Sequence, residues 1–539
     1  SDTIYEFDGV NWNKLDSIIS EENFSLEPYS SEIVIAHRWH SSVYGTDWNA
    51  KQHIGSYQKP RIANPMHAIR GDENALWVAD NWHGLAKGYN DWNSEVLVPN
   101  GPSSIYAYQM KAANGEVWVA TGGRAKSNGT NFWLKEGLLH FTNGNWTSIN
   151  KYNTTGMDTL YDIVSVAIDP SDKQHVYAAS FGKGVIEALN GNINEIYDEK
   201  NSSVLPAPPP NDNHVGITGL DFDEQNNLWV INSNTTAPIS VKTPDGKWIS
   251  FIVQELLSKK YTGNVLANQY GHKWIELPNE GIVVFDDNGT IDNPADDRSK
   301  LLSTGEGNGN LHNLEFLTIT EDLDGEIWVG SNDGIAVFYS PSSVFDDSGS
   351  DAQRILVEKD GFTQYLFEGT TITAIEVDGA NRKWIGTNGA GLFLISEDGT
   401  EEILHFDRDN SPLFSNYITC LALDHESGEL FIGTEEGILS YRGTATAPVS
   451  EYTDVYAFPN PVKEGYDGPI AIKGLVSNST VKITDVSGNL VYETISEGGQ
   501  AIWYGKNFDG KDAKTGVYLV FCTSNDGSQR FVTKILFIN

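Results

Sequence analysis

Along most of the chain, short stretches alternate apolar and polar residues and then break at Gly, Asn or Asp. One unit reads "FLTITED", the turn "DG", the stretch "EIWVGS", a second turn "NDG" and then "IAVFYS", residues 316–340. Alternation with a period of two predicts half-buried strands, and Asp-Gly and Asn-Gly supply the positive-φ positions that tight hairpins require. A further hairpin follows in "GLLHFTNGNWTSI" and in "ISVKTPDGKWISF". Each unit is therefore expected to be a four-stranded antiparallel sheet.

One position of the unit is aromatic throughout: Trp77, Trp118, Tyr177, Trp229, Trp274, Trp328, Trp384 and Phe431, spaced between 41 and 59 residues apart. A repeat of this length built only of strands predicts a propeller, because a lone sheet has two apolar faces and buries them only by stacking on neighbours until a ring closes. The recurring ring is expected to fill the gap between adjacent blades, where its burial contributes about 1.5–3 kcal/mol.

The chain ends bear on closure. "TIYEFDGVNWNKL" reads as the last two strands of a blade, whereas the final unit, ending "GILSYRG", lacks its outer strand. Joining the two would seal a ring of seven or eight blades; alternatively, residues 1–60, with "EIVIAHRWHSS", are the remnant of a preceding propeller. From "VYAFPNPVKEGYDG" the period stops at Pro459 and Pro461, and the strands that follow suit a small sandwich. The expected fold is all-β: a seven- or eight-bladed β-propeller over residues 1–450, then a small C-terminal Ig-like β-sandwich over 451–539.

Composition narrows the partners. At 539 residues the chain is too long for one ordinary core, and 73 acidic against 36 basic side chains leave a formal charge of −37. That field repels phosphate backbones and argues against nucleic acid. The two cysteines, Cys420 and Cys522, lie in apolar strands and are expected to be buried thiols, neither a disulfide framework nor a metal cage. No run approaches the roughly 18 apolar residues of a membrane span. The opening "SDTIYEFDG" has neither Met nor a signal core, and a removed leader is expected.

Two resemblances add to this reading. The pattern carried by "WVGSNDGI", "WIGTNGAGL" and "FIGTEEGI" resembles the two-component-regulator propeller repeat of bacterial sensor ectodomains. "FPNPV", "VKITDVSGNLV", "TGVYLV" and "KILFI", in that order over residues 455–539, resemble the type IX secretion sorting domain of Bacteroidota. Together they are similar to the PorZ-like family of type IX surface components, which carries two propellers before its tail. The resemblance implies an exported, outer-membrane-associated scaffold of an attachment complex, without catalytic activity. The implied partners are type IX components such as a PorU-like surface protease, and an anionic surface glycan or lipopolysaccharide. Two rival readings are a secreted propeller enzyme, a polysaccharide lyase or glycosidase delivered as cargo, and a ligand-sensing ectodomain.

Catalytic motifs are not evident. An Asp box is missing around Trp328 and Trp77, and "GGRAKSNG" lacks the Lys-Ser ending of a phosphate loop. His37 and His40 in "HRWH" have no HExxH context and read as a polar loop; "DDNGTIDNPADD", residues 286–297, reads as a solvated hairpin and not as a calcium loop. No catalytic residue, cofactor or metal is expected. What remains is a binding face built from loops joining second to third strands: Trp82 and His83 in one unit, and Arg124, Lys126, Asn131 and Trp133 in the long insertion "TGGRAKSNGTNFWLKEG". Trp39, Trp48, Trp82 and Trp133 have no slot in the repeat, and an exposed indole beside basic groups can stack on a sugar or anchor a protein.

Overall fold

The computed structural model describes residues 3–15, 22–58, 61–97, 100–125, 129–211, 213–257, 259, 261–346, 351–359 and 361–538. It divides into two compact units, Ser1–Gly101 and Pro102–Asn539.

In the larger unit, the inner strands Gln109–Ala113, Ile163–Ile168, Val215–Phe222, Val265–Ala267, Phe316–Glu321, Ile372–Val377 and Ile418–Asp424 each pair with an antiparallel second strand. That second strand carries the recurring aromatic. Among the described residues these are seven blades, and the fold is a β-propeller followed by a β-sandwich.

The wedge role of the aromatic is borne out blade by blade. Trp118 packs on Ile163, Val166 and Val176 of the next blade. Tyr177 meets Ile217 and Val230, Trp229 meets Val265 and Ile275, and Trp274 meets Phe316 and Val329. Trp328 meets Ile372 and Ile385, and Trp384 meets Ile418 and Leu421. Two of these tryptophans also hold a cation. Trp229 Nε1 donates to Asp223 Oδ2 at 2.8 Å while Lys273 of the following blade lies 3.9 Å from its ring. Trp328 Nε1 donates to Asp322 Oδ2 at 3.1 Å beneath Lys383, whose Nζ is 2.9 Å from the same carboxylate. In both blades the turn before the second strand anchors the ring; at Trp328 the next blade's Lys383 also pairs with the carboxylate of that turn, whereas Lys273 pairs with Asp287.

Phe431 of the last blade packs on Ala107, Met110, Val117 and Leu139 of the first blade. Cys420 Sγ donates to Ala107 O at 3.4 Å, and Gly115 N donates to Asp424 Oδ2 at 3.1 Å. Closure therefore differs from the seal expected from the chain ends. Among the described residues the blade of 109–149 already has all four strands and the last has three, and the two meet through side-chain packing.

The N-terminal unit contains a hairpin, Tyr5–Phe7 with Trp12–Lys14, and two four-stranded sheets. The first runs Asn23–Tyr29, Glu32–His37, Ser41–Tyr44, Ala50–Ile54; the second Pro65–Arg70, Leu76–Asp80, Gly84–Gly88, Ser94–Leu97. They pack through Val34, Ala36 and Val43 against Ala68, Leu76 and Val78. The first sheet does not show the aromatic repeat, because its second strand carries Val and Ile where the others carry a ring.

The sandwich sets Tyr456–Phe458, Ile470–Lys473 and Gln500–Trp503 against a five-stranded sheet in which Gly516–Thr523 and Arg530–Ile538 are central. Its core holds Trp503, Ile483, Val520 and Ile535. It joins the ring tightly: Gly499 N donates to Thr446 O at 2.8 Å, and Arg382 Nη1 lies 3.0 Å from Glu497. A Cβ on Gly379 or Gly498 would meet Thr446 O at 1.9 or 2.2 Å, so these glycines are required by close backbone approach. Both cysteines are buried thiols outside any disulfide, and burial pushes the Cys522 thiol up to about 12.

Candidate functional site

In the N-terminal unit, Trp82 and His83 occupy the turn between Leu76–Asp80 and Gly84–Gly88. Asp80 shapes it: Oδ1 accepts from Trp82 N at 2.9 Å and His83 N at 3.0 Å, and Oδ2 accepts from the Tyr57 hydroxyl at 2.9 Å. With its backbone fixed, the Trp82 ring stands 55% exposed. Trp39 lies beside it at 5.6 Å between centroids, and the Arg38 guanidinium covers Trp39 at 5.4 Å. The sequence had set Trp39 apart as lacking a slot, but its pairing with Trp82 is a tertiary fact.

His37 is not part of a polar loop. It ends the buried strand Glu32–His37, stacked on His40 at 4.3 Å, with His53 a further 4.6 Å beyond His40. Burial first, and then the neighbouring imidazoles, depress its pKa to about 4.

In the ring, the long insertion is knotted onto Asp162, the residue before the second inner strand. Asp162 is buried, holds a φ of 46°, and accepts hydrogen bonds from Asn131 Nδ2, Trp133 N and Leu134 N, each at 2.9 Å. Asn131 also donates to Phe181 O at 2.8 Å, so its amide holds the loop in place. Trp133 leans on Tyr161 at 4.8 Å and remains 63% exposed. Lys126 lies outside the described residues.

Arg124 behaves differently from its neighbours. It pairs across the loop with Asn131 through the backbone and is only 5% exposed. Its guanidinium sits 5.2 Å from the Phe181 ring, and Nε and Nη1 have no acceptor. The side chain lines a cavity of about 180 Å³ on the ring axis, with Lys111, Thr218, Asp221, Asn264, Thr318 and Glu376.

A second axial cavity, of about 270 Å³, shares Lys111, Asp221 and Glu376 with the first, so these three mark the layer where the two meet. Burial raises the Asp221 carboxyl and pushes Glu376 up to about 7, with Lys111 opposing both. Near neutral pH Glu376 can both donate and accept a hydrogen bond. Among the described residues no group of three or more His, Cys, Asp or Glu is placed to hold a metal ion. The axial layer was invisible in the sequence because Lys111, Asp221 and Glu376 come from three separate blades.

Residues 456–538 match the family described as the secretion system C-terminal sorting domain. Among solved structures of similar fold is PorZ, described as an essential bacterial surface component of the type-IX secretion system of Porphyromonas gingivalis. It shares 23% identity at a TM-score of 0.70, over 100% of this chain and 73% of that one. The extracellular domain of a hybrid two-component system from B. thetaiotaomicron aligns at 12% identity and a TM-score of 0.43, over 99% of this chain and 70% of that one. YCF48 from Cyanidioschyzon merolae aligns at 12% and 0.44, over 64% and 98%. No curated protein matches the sequence. The chain is thus similar in fold to PorZ along its whole length and ends in a sorting domain, as the repeat and the tail had implied.

Proposed function

We propose that the protein is a non-enzymatic cell-surface propeller scaffold of the type IX secretion apparatus, acting in its attachment complex. The observation that carries this reading is the combination of a PorZ-like fold over 100% of the chain with a sorting domain at 456–538. The tail directs export, and the domain reading keeps its boundary at 450/451, where the blade pattern gives way to the sandwich. Outer-membrane association, a PorU-like protease as partner and an anionic glycan or lipopolysaccharide as ligand belong to the same proposal. On the N-terminal unit the contacts are Trp82 and His83, with Trp39 alongside. On the ring they are Arg124 and Trp133, with Asn131 and Asp162 holding the loop and Lys126 as a further cation.

The test is deletion of the gene in its host followed by proteomics of the cell surface. Loss of other tail-bearing proteins from the surface, restored by the intact gene, is expected; an unchanged surface overturns the scaffold reading. Turnover in a panel of polysaccharide hydrolase and lyase substrates would instead establish an enzyme carried as cargo.

A further inference from the structure

We propose that the 180 Å³ axial cavity of the seven-bladed ring binds a monosaccharide-sized, hydroxyl-bearing anion whose acidic group is held by Arg124. A guanidinium stays protonated at any ordinary pH, and burying its donors without acceptors is costly. Arg124 is nine-tenths buried and yet has Nε and Nη1 unsatisfied. Among the described residues no ion pair reaches Arg124, although Asp221, Glu276 and Glu376 line the same cavity, and Asp162 is occupied by Asn131, Trp133 and Leu134. The unmet charge faces the cavity, so the missing acceptor is an anion that enters it.

A second orphan in the same cavity defines the rest of the ligand. Asn264 Oδ1 is out of solvent and has no donor, while the Asn264 backbone N–H is engaged by Glu276 at 3.0 Å. An acceptor without a donor calls for a hydroxyl or ammonium hydrogen from the occupant. Thr218, Thr318, Thr320, Thr373 and Thr419 add a hydroxyl lining, and Asp221, Glu276 and Glu376 add carboxyl groups. An inorganic ion would satisfy Arg124 and leave Asn264 bare, and a neutral sugar would do the reverse. An acidic sugar satisfies both.

This deepens the glycan reading of the loop face and rests on it only in taking a sugar as the carrier of the charge. The test is calorimetric titration of the full chain with D-glucuronate, D-glucose 6-phosphate and uncharged methyl glucoside, repeated with Arg124→Gln and Arg124→Lys. Binding of glucuronate or the phosphate at least ten-fold tighter than methyl glucoside is expected, and the arm that binds tells carboxylate from phosphate. Arg124→Gln should lose at least ten-fold with an unchanged melting temperature, and Arg124→Lys should lose less. Failure of both anions to bind the wild type, equal affinity for the neutral sugar, or full affinity in Arg124→Gln overturns the proposal. If Arg124→Gln does not fold, the wild-type contrast between charged and neutral sugars decides alone. The scaffold reading fails on a different result, an unchanged cell surface after gene deletion.

Discussion

The ring and the N-terminal unit are made of the same blade, yet the same aromatic position has two fates. In the ring every signature side chain from Trp118 to Phe431 is buried, each against the strands of the next blade. Trp77 occupies the equivalent strand of the second N-terminal sheet and is half-buried, with Lys87 over its ring at 5.4 Å. The sheet before it packs forward onto its strands, but among the described residues of that unit no later blade covers Trp77 in turn. A wedge is therefore a property of a blade pair; the same residue type, on the same strand, stabilises only where a following sheet exists.

The largest test of this contrast is Trp328→Ala, which removes a buried ring and strips Asp322 and Lys383 of a partner. A loss of about 3–5 kcal/mol in urea unfolding of the larger unit is expected. A loss under about 1 kcal/mol would break the wedge argument. Gly498→Ala tests the sandwich join, since its φ of 60° and the Thr446 carbonyl at 2.2 Å both oppose a Cβ. The expected cost is about 1–3 kcal/mol, read as faster hydrogen exchange across residues 444–450 and 496–500. Unaltered exchange there would mean that the join gives way without strain.

Acidification should act on the N-terminal unit. His37 titrates near 4 in the fold and near 6.5 when unfolded, so between these values the unfolded chain binds a proton that the fold refuses. Stability is complete above pH 6.5 and falls as pH drops toward 4, by on the order of 1–2 kcal/mol after solvent screening. Hydrogen exchange of residues 32–57 should accelerate over that window, and His37→Gln should flatten the profile; an unchanged slope in the variant would place the effect elsewhere. The smallest effect is expected from Trp77→Ala, below about 1.5 kcal/mol because its ring is only partly buried. A loss equal to that of Trp328→Ala would show that Trp77 is covered after all and erase the comparison.

Much of this was legible in the sequence. Turn chemistry and the spacing of the rings placed eight second strands correctly, and the tail motifs marked the sandwich. The first N-terminal sheet was not legible as a repeat because Val34 and Ala36 do the packing onto the next sheet without a ring. Of the candidate site residues, Arg124 is where charge, burial and a cavity meet. Asn131, chosen for the same reason of lying in a long polar loop, spends its amide on Asp162 and Phe181. Composition cannot separate the two, because both look polar and only contacts reveal which one is left unsatisfied.

By itself the sequence determined the blade, since alternation, Asp-Gly turns and β-branched strands act over a few residues, and it determined that blades must stack. Tertiary structure alone decided that Phe431 seals the ring onto Met110, that Cys420 reaches Ala107, and that Lys111, Asp221 and Glu376 meet on one axis. Hydrogen bonding along a hairpin is local and leaves its mark in neighbouring letters. Closure joins residues some three hundred positions apart, where the deciding term is the packing of whole sheets, and no local pattern records it.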